Sequence, residues 1–326
     1  MIKKIKYTSV LSIGLILLSS GSGGTTVGTK LKIEEKVFLF ASNRGTAYIE
    51  NDKILSYKDA KFLEFLEFLD FNGTDFLIHL VHINKNKIVE DIILDTVFDN
   101  HGGGSIAFNN EKKVCIVYDG HHKNLKYRCS KDKLSISSWD DIIYINDTDS
   151  QLTYPSFMFD QNNTMHLLYR KINIKNKRTD LVYMKTYENN KSNNQKKYLY
   201  STNDKYSNFT ATLVNFEGDL KILFKDYGYK FDNTKFNKGV YLYDTKLDKK
   251  ITIIAGQKDS LEKNFYVSNL LLNKKYLVFN ILNYTHPNDF FKLYMLDSNF
   301  KIEEEINLIN LLEDFINFSQ GEDYVC

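Results

Sequence analysis

The chain has 326 residues, with 43 Lys and Arg against 41 Asp and Glu, for a formal net charge of +2. That balance excludes the strongly basic surface on which nucleic-acid binders rely, and 43 % hydrophobic against 26 % charged residues excludes wholesale disorder. Aromatic residues make up 14 % of the chain and only 2 residues are proline; Tyr and Phe favour strands, so the composition leans towards β structure. Nearly all positive charge is lysine. The arginines are Arg44, Arg128, Arg170 and Arg178, so each is worth reading by itself.

Residues 1–24 read as an export signal: Lys3, Lys4 and Lys6 form a basic start, Val10 to Leu18 a short apolar run, and Ser19 to Gly24 small residues for cleavage. The apolar run is well short of the ~20 residues that span a bilayer. The expectation is a secreted or periplasmic protein with no stable membrane insertion after cleavage, and a single domain over residues 25–326.

From there one theme repeats: an apolar alternating run, a polar turn, and a second apolar run. The turns are Asn72-Gly73-Thr74-Asp75, Asn109-Asn110-Glu111, Asp160 to Asn163, Phe216-Glu217-Gly218-Asp219 and Asn273-Lys274-Lys275. Alternation broken by Asn, Asp and Gly is a hairpin signal. A third apolar run follows at Leu125–Cys129, Leu181–Tyr187, Gly239–Tyr243 and Phe291–Leu296. Multi-stranded repeats at such spacing predict an all-β fold, a β-propeller with five recognisable blade units and up to seven in all. The strands of residues 36–57 add part of another blade or close the ring.

Within this pattern, Ala60–Phe71 fits a helix or a strand equally well. The Lys- and Asn-rich stretch 189–197 reads as a solvated loop. Residues 303–318 carry apolar positions 308, 311, 312 and 315, which is helical spacing, behind acids that suit a helix start. A short C-terminal helix is therefore expected. Cys115 and Cys129 sit symmetrically about residue 122, on strands flanking the loop Asp119 to Asn124. They form either a cross-strand disulfide, as an exported protein allows, or two buried thiols. No Cys/His set has metal-ligand spacing, so neither a metal nor a cofactor is expected.

The candidate chemistry gathers at the junctions of the second and third units. His101 precedes the first strand of the second unit, and His121 and His122 lie in the loop after its second strand. Tyr154, followed by Pro155, leads into the third unit, and Arg170 ends that unit's second strand. These are corresponding loop-proximal places in adjacent units, so the side chains are expected to share one pocket. Imidazoles, a phenol and a guanidinium suit β-elimination at a uronic acid. The arginine clamps the carboxylate, a phenolate or imidazole removes the C5 proton, and a Tyr or His returns a proton to the departing glycosidic oxygen. A guanidinium beside the phenol favours its ionised form.

The segment from His101 through SIAFNN and VCIVYDGHHKNLKYRCSKD, followed by LTYPSFMFDQNNTMHLLYRK, resembles the BNR-repeat propeller family that includes ulvan lyases. The spacings of 20 residues from His101 to His121 and 16 from Tyr154 to Arg170 agree with that pattern. The resemblance is good over residues 97–187 and thinner to residue 300. It implies Tyr154 as the proton-transfer residue, Arg170 as the carboxylate neutraliser and His101 as a second acid/base group. His121 would bind or support the substrate, with His122 beside it, and Tyr206 would line the same cleft one blade on. The chain departs from the family in showing five units where its lyases have seven blades, and in the three glycines, Gly102 to Gly104, after His101. Ser130-Lys131-Asp132 with Trp139 resembles a degenerate Asp-box, a turn that staples blade strands. A sialidase is disfavoured, because no Tyr/Glu nucleophile pair accompanies the available arginines.

The expected function is therefore cleavage of an acidic, uronate-containing polysaccharide by β-elimination. Its rival is a carbohydrate-binding propeller of the same family without catalysis. A glycoside hydrolase built on two carboxylates, with Asp99, Asp119 and Asp160 nearest the motifs, is a further reading, as is a protein-interaction propeller.

Overall fold

The structure is a computed structural model. It describes residues 29–33, 36–41, 54–68, 75–98, 102–120, 123–147, 150–187, 190–202, 211–216, 219–226, 239–254, 267–272, 276–281, 292–297 and 299–307. The chain divides into two compact units, Met1–Lys205 and Tyr206–Cys326.

In the first unit, β1 (Thr29–Ile33) and β2 (Lys36–Ala41) pair as a hairpin of their own. Three four-stranded antiparallel meanders follow. Sheet one is β3 (Ile54–Tyr57), β4 (Ala60–Phe68), β5 (Phe76–Asn84) and β6 (Lys87–Val97). Sheet two is β7 (Ser105–Phe108), β8 (Lys113–Asp119), β9 (Leu125–Lys133) and β10 (Ile143–Ile145). Sheet three is β11 (Ser150–Phe159), β12 (Met165–Asn173), β13 (Arg178–Tyr187) and β14 (Asn190–Thr202). The second unit repeats the form twice. Sheet four is β15 (Ala211–Phe216), β16 (Asp219–Asp226), β17 (Gly239–Asp244) and β18 (Lys249–Ile254). Sheet five is β19 (Val267–Leu272), β20 (Tyr276–Ile281), β21 (Lys292–Leu296) and β22 (Ile302–Asn307).

Successive side chains of a strand point to opposite faces, and here both faces are apolar. On β8, Val114, Ile116 and Tyr118 join Phe62, Ile78, Leu80 and Ile136 in one core between sheets one and two. Their neighbours Cys115 and Val117 join Leu152, Phe157, Leu167 and Tyr169 in a second core between sheets two and three. A sheet buried on both faces has to be layered between two others. The first strands of successive sheets run beside one another, β3 by β7, β7 by β11, and in the second unit β15 by β19. Meanders stacked face to face with adjoining first strands are the blades of a β-propeller.

Two of the turns that the sequence marks as hairpins, beginning at Asn109 and Asp160, share one construction with a third that begins at Asp297. Asn109 N donates to the Lys113 carbonyl and Lys113 N donates back to the Asn109 side-chain oxygen, and Asp160 with Thr164 and Asp297 with Lys301 do the same. The fourth residue of each turn, Lys112, Asn163 or Phe300, takes a left-handed φ of 61–64°. Asn110 donates its side-chain amide to the Gln161 carbonyl at 2.6 Å and its backbone N–H to Asn163 at 3.0 Å, stapling sheet two to sheet three at this end. The Asp-box-like segment is also a staple. Ser130 Oγ accepts from Val114 N and donates to Asp132 O, and Trp139 Nε1 donates to Ile136 O.

Several expectations change. The ambiguous Ala60–Phe71 is strand β4 as far as Phe68, because both of its faces are needed for cores. The stretch 189–197 is not a loop from Asn190 onward but the start of β14. It is the outermost strand of sheet three, so hydrogen bonding to β13 suffices and no apolar face is required. The expected C-terminal helix does not begin at residue 303, since residues 302–307 form β22 paired with β21; residues 308–318 lie outside the described residues. No helix occurs among the described residues.

Candidate active site at one end of sheets two and three

Strand direction sorts the loops into two ends. The stapled turns 109–113 and 160–164 lie at one end. At the other lie the entry to β7, the link from β8 to β9, the start of β11 and the end of β12. Tyr154 and Arg170 belong to this second end.

Tyr154 and Arg170 are brought together. In the β11–β12 ladder Thr153 is paired with Arg170 and Ser156 with Leu168, so Tyr154 and Pro155 on β11 oppose Tyr169 alone. This is a β-bulge, which turns a side chain out of the ladder. Tyr154 sits in it at φ 53°. An aromatic residue with left-handed backbone costs of order 1–3 kcal/mol and persists only where its surroundings impose it. The Arg170 guanidinium lies over the Tyr154 ring, 4.3 Å from its centroid, close enough for a strong cation–π contact. Arg170 is 7 % exposed, and Tyr154 is half-buried.

The described flanks of the histidine motifs converge on the same place. Gly102, next to His101, accepts a hydrogen bond from Asp119 N at 2.9 Å. Gly104 N donates to the buried Glu64 carboxylate at 3.0 Å. Asp119 and Gly120, which lead into the loop after β8, have φ of 65° and 87°. Lys123, on that loop's far side, bridges to Leu152 of β11, with Leu152 N 3.3 Å from Lys123 O. Leu152 is two residues before Tyr154. His101, His121, His122 and Tyr206 themselves lie outside the described residues, as does Asp99.

Gly104, the third glycine after His101, is required by packing. A Cβ on Gly104 would stand 2.9 Å from the Ile116 side chain and from Val117 O. Packing of β7 against β8 leaves no room for a side chain there.

Beneath these loops lies a charged cluster that sequence reasoning missed. Lys126 Nζ is 3.0 Å from Asp95 Oδ2 and 3.1 Å from Asp119 Oδ2, and the Tyr118 hydroxyl donates to the same Asp95 oxygen at 2.8 Å. Burial raises the Asp119 carboxyl above the usual carboxylate range. Burial also pushes Asp95 upward, but hydrogen bonds from Lys126, Tyr118 and Thr96 N outweigh it and hold that carboxyl below its usual value. Likewise burial disfavours the Lys126 ammonium, and the two carboxylates more than restore it. Tyr118 is raised by burial and by its bond to Asp95. A signal was present: the symmetry about residue 122 that pairs Cys115 with Cys129 also pairs Tyr118 with Lys126. Asp160, one of the acids considered for hydrolysis, is at the opposite end, where its carboxylate caps the 160–164 turn.

The described sheets define the chain as an all-β propeller. The profile of the BNR repeat-containing family matches residues 68–272, and the chain belongs to that family. No curated protein matches it. Among solved structures it is similar to an ulvan lyase of polysaccharide lyase family PL25, at 13 % identity and TM-score 0.51, covering 80 % of this chain and 70 % of that one. A second structure, of such a PL25 ulvan lyase bound to -[GlcA(1-4)Rha3S]-, gives 13 % identity and TM-score 0.50 over the same shares. A levansucrase mutant of B. megaterium also matches, at 10 % identity and TM-score 0.50, covering 79 % of this chain and 84 % of that one. At these identities the likeness is one of fold.

Proposed function

We propose that this protein cleaves a uronate-containing polysaccharide by β-elimination, with Tyr154 and Arg170 at the reacting centre. The observation that carries this reading is the Arg170 guanidinium stacked on a tyrosine that a bulge and a left-handed backbone turn out of the ladder. Strain held at a site that ordinary strand pairing would remove points to function.

In the reaction, Arg170 pairs with the substrate carboxylate and makes the C5 proton acidic. Ionised Tyr154, its charge favoured by the neighbouring guanidinium, takes that proton. The C5–H electron pair forms the C4–C5 double bond, and the C4–O bond breaks. The leaving oxygen takes a proton from Tyr154 or from His101, the second acid/base group. The residues proposed to bind the sugar are His121, His122 and Tyr206. This reading needs no metal or cofactor. The order of basic, apolar and small residues over 1–24 supports export, which would bring the enzyme, as one propeller domain over residues 25–326, to a polymer outside the cell.

A carbohydrate-binding propeller without catalysis is the second reading, favoured by the burial of Arg170, which leaves little of the guanidinium open to a substrate. Because one fold hosts many functions, the likeness to both a lyase and a levansucrase does not decide between them. The test is an elimination assay of the purified protein on a panel of uronate-containing polysaccharides, following ultraviolet absorbance of the unsaturated product. A rise on any polymer establishes the lyase; silence with retention on one of those polymers establishes the binding protein.

A further inference from the structure

Lys126 lies on β9 directly opposite Tyr118 of β8. Its ammonium is shared between Asp95 on β6 and Asp119 at the end of β8, so a single cation joins sheets one and two. It also lies over the Tyr118 ring, 5.5 Å from the centroid. Asp119 is 3 % exposed. A carboxylate so buried is costly without its partner, so Lys126 dictates where Asp119 sits.

Asp119 has little freedom to pass a displacement off locally. It is held at φ 65°, and its N–H is bonded to Gly102 O. The next residue, Gly120, lies so close to β11 that a Cβ on it would stand 2.4 Å from Leu152 O. Leu152 is tied in turn to Lys123, and two residues on is the bulge with Tyr154. A continuous line of contacts thus runs from the Lys126 ammonium through Asp119, Gly120 and Leu152 to Tyr154.

We infer that Lys126 is a positioning residue for the Tyr154–Arg170 pair. By pinning Asp119 it fixes the end of β8 against the start of β11, and with it the place of the bulged tyrosine. The inference rests on the lyase reading for its catalytic consequence, but the tether itself is testable without it.

The experiment compares Lys126→Met, which keeps the apolar stem, and Lys126→Arg, which keeps the charge, with the unaltered protein. Amide hydrogen exchange is followed at Gly102, Asp119, Gly120 and Leu152, and at Asn162 and Thr164 in the distant turn. The expected result is exchange faster by about tenfold or more at the first four amides in Lys126→Met, no change at Asn162 and Thr164, and recovery in Lys126→Arg. On a polymer that the unaltered protein eliminates, kcat of Lys126→Met falls by roughly 10–10²-fold with KM little changed, as a misplaced catalytic group predicts.

Unchanged exchange at the four amides overturns the tether, and so does a uniform rise that includes the distant turn. Faster exchange at the four amides with undiminished kcat overturns the positioning role. Absence of elimination by the unaltered protein sinks the lyase reading alone, since the exchange measurement still decides the tether. If Lys126→Met does not fold, the pair Lys126→Met with Asp119→Asn, which leaves no uncompensated carboxylate at 119, is measured in its place against the same criteria.

Discussion

Arg170 is paired across the ladder with Thr153, yet its guanidinium covers the ring of the following residue, Tyr154. The bulge accounts for the offset: two residues of β11 span the space of one on β12, so the tyrosine swings over the arginine. Tyr154→Phe keeps the ring and its stacking and removes only the hydroxyl. It should fold with an unchanged circular dichroism spectrum and abolish elimination. Arg170→Ala should lower the rate by about 10²–10³, the range for losing a preorganised charge-stabilising donor. Full turnover in both variants would show that the chemistry lies elsewhere.

Gly120 is under two constraints at once. Its φ of 87° strains any L side chain, and a Cβ there would meet Leu152 O at 2.4 Å. A main-chain oxygen cannot step aside as a side-chain end can. Gly120→Ala should therefore lose roughly 1–3 kcal/mol of stability, read as a lower urea midpoint. Gly104→Ala, with no such φ and with its main-chain contact, Val117 O, at 2.9 Å rather than 2.4 Å, should lose less. Equal losses in the two variants would mean that the backbone conformation at Gly120 is unimportant.

The propeller was legible because its signals are local. Asn109, Asp160 and their turn partners punctuate strands whose alternation survives the lysine-rich composition, and the symmetry about residue 122 gave the register of β8 on β9 from sequence numbers alone. The candidate site was legible only as residue types near blade junctions. That Tyr154 stands in a bulge over Arg170 depends on the pairing of β11 with β12, which shifts by one residue between Thr153 and Ser156. Lys126 escaped notice because its partners, Asp95 and Asp119, come from different sheets, and no spacing along the chain encodes that meeting. The misread segments failed for a related reason. Residues 190–197 are too polar for a core strand, but an outermost strand needs only a neighbour to bond with, and the acids after residue 302 suit an exposed strand as well as a helix start.

Cys115 and Cys129 are directly opposed on β8 and β9 and form a disulfide closing a separation of 14 residues. A loop of that size corresponds to ~3 kcal/mol in the chain-entropy account. Both cysteines belong to the core between sheets two and three, with Leu152 and Phe157 of β11. The paired substitution Cys115→Ala with Cys129→Ala should lower the thermal midpoint clearly, and a reductant should do the same to the unaltered protein but not to the variant. A reductant that shifts both alike would show that the bridge contributes nothing.

His166 supplies a pH dependence that is separable from the candidate site. It is buried, with Nε2 3.2 Å from Asp160 Oδ2 and Nδ1 2.6 Å from the Tyr183 hydroxyl. A carboxylate only accepts, so Nε2 carries the proton, and neutral Nδ1 accepts from Tyr183. Burial lowers the imidazole below its ordinary value, with a smaller push from Lys185, and both outweigh the attraction of Asp160. The unfolded chain, titrating near the usual ~6.5, then binds this proton more readily than the native protein. The stability is present above about 6.5 and is lost as pH falls from there through the lower native value. Asp160, held low against its burial by Thr164 N, His166 and Asn162 N, adds a second loss only at pH below the 3.8 of an ordinary aspartate. Urea midpoints measured between pH 7.5 and 5 should fall less steeply in His166→Gln than in the unaltered protein. Identical slopes would mean that this imidazole does not resist protonation in the folded chain.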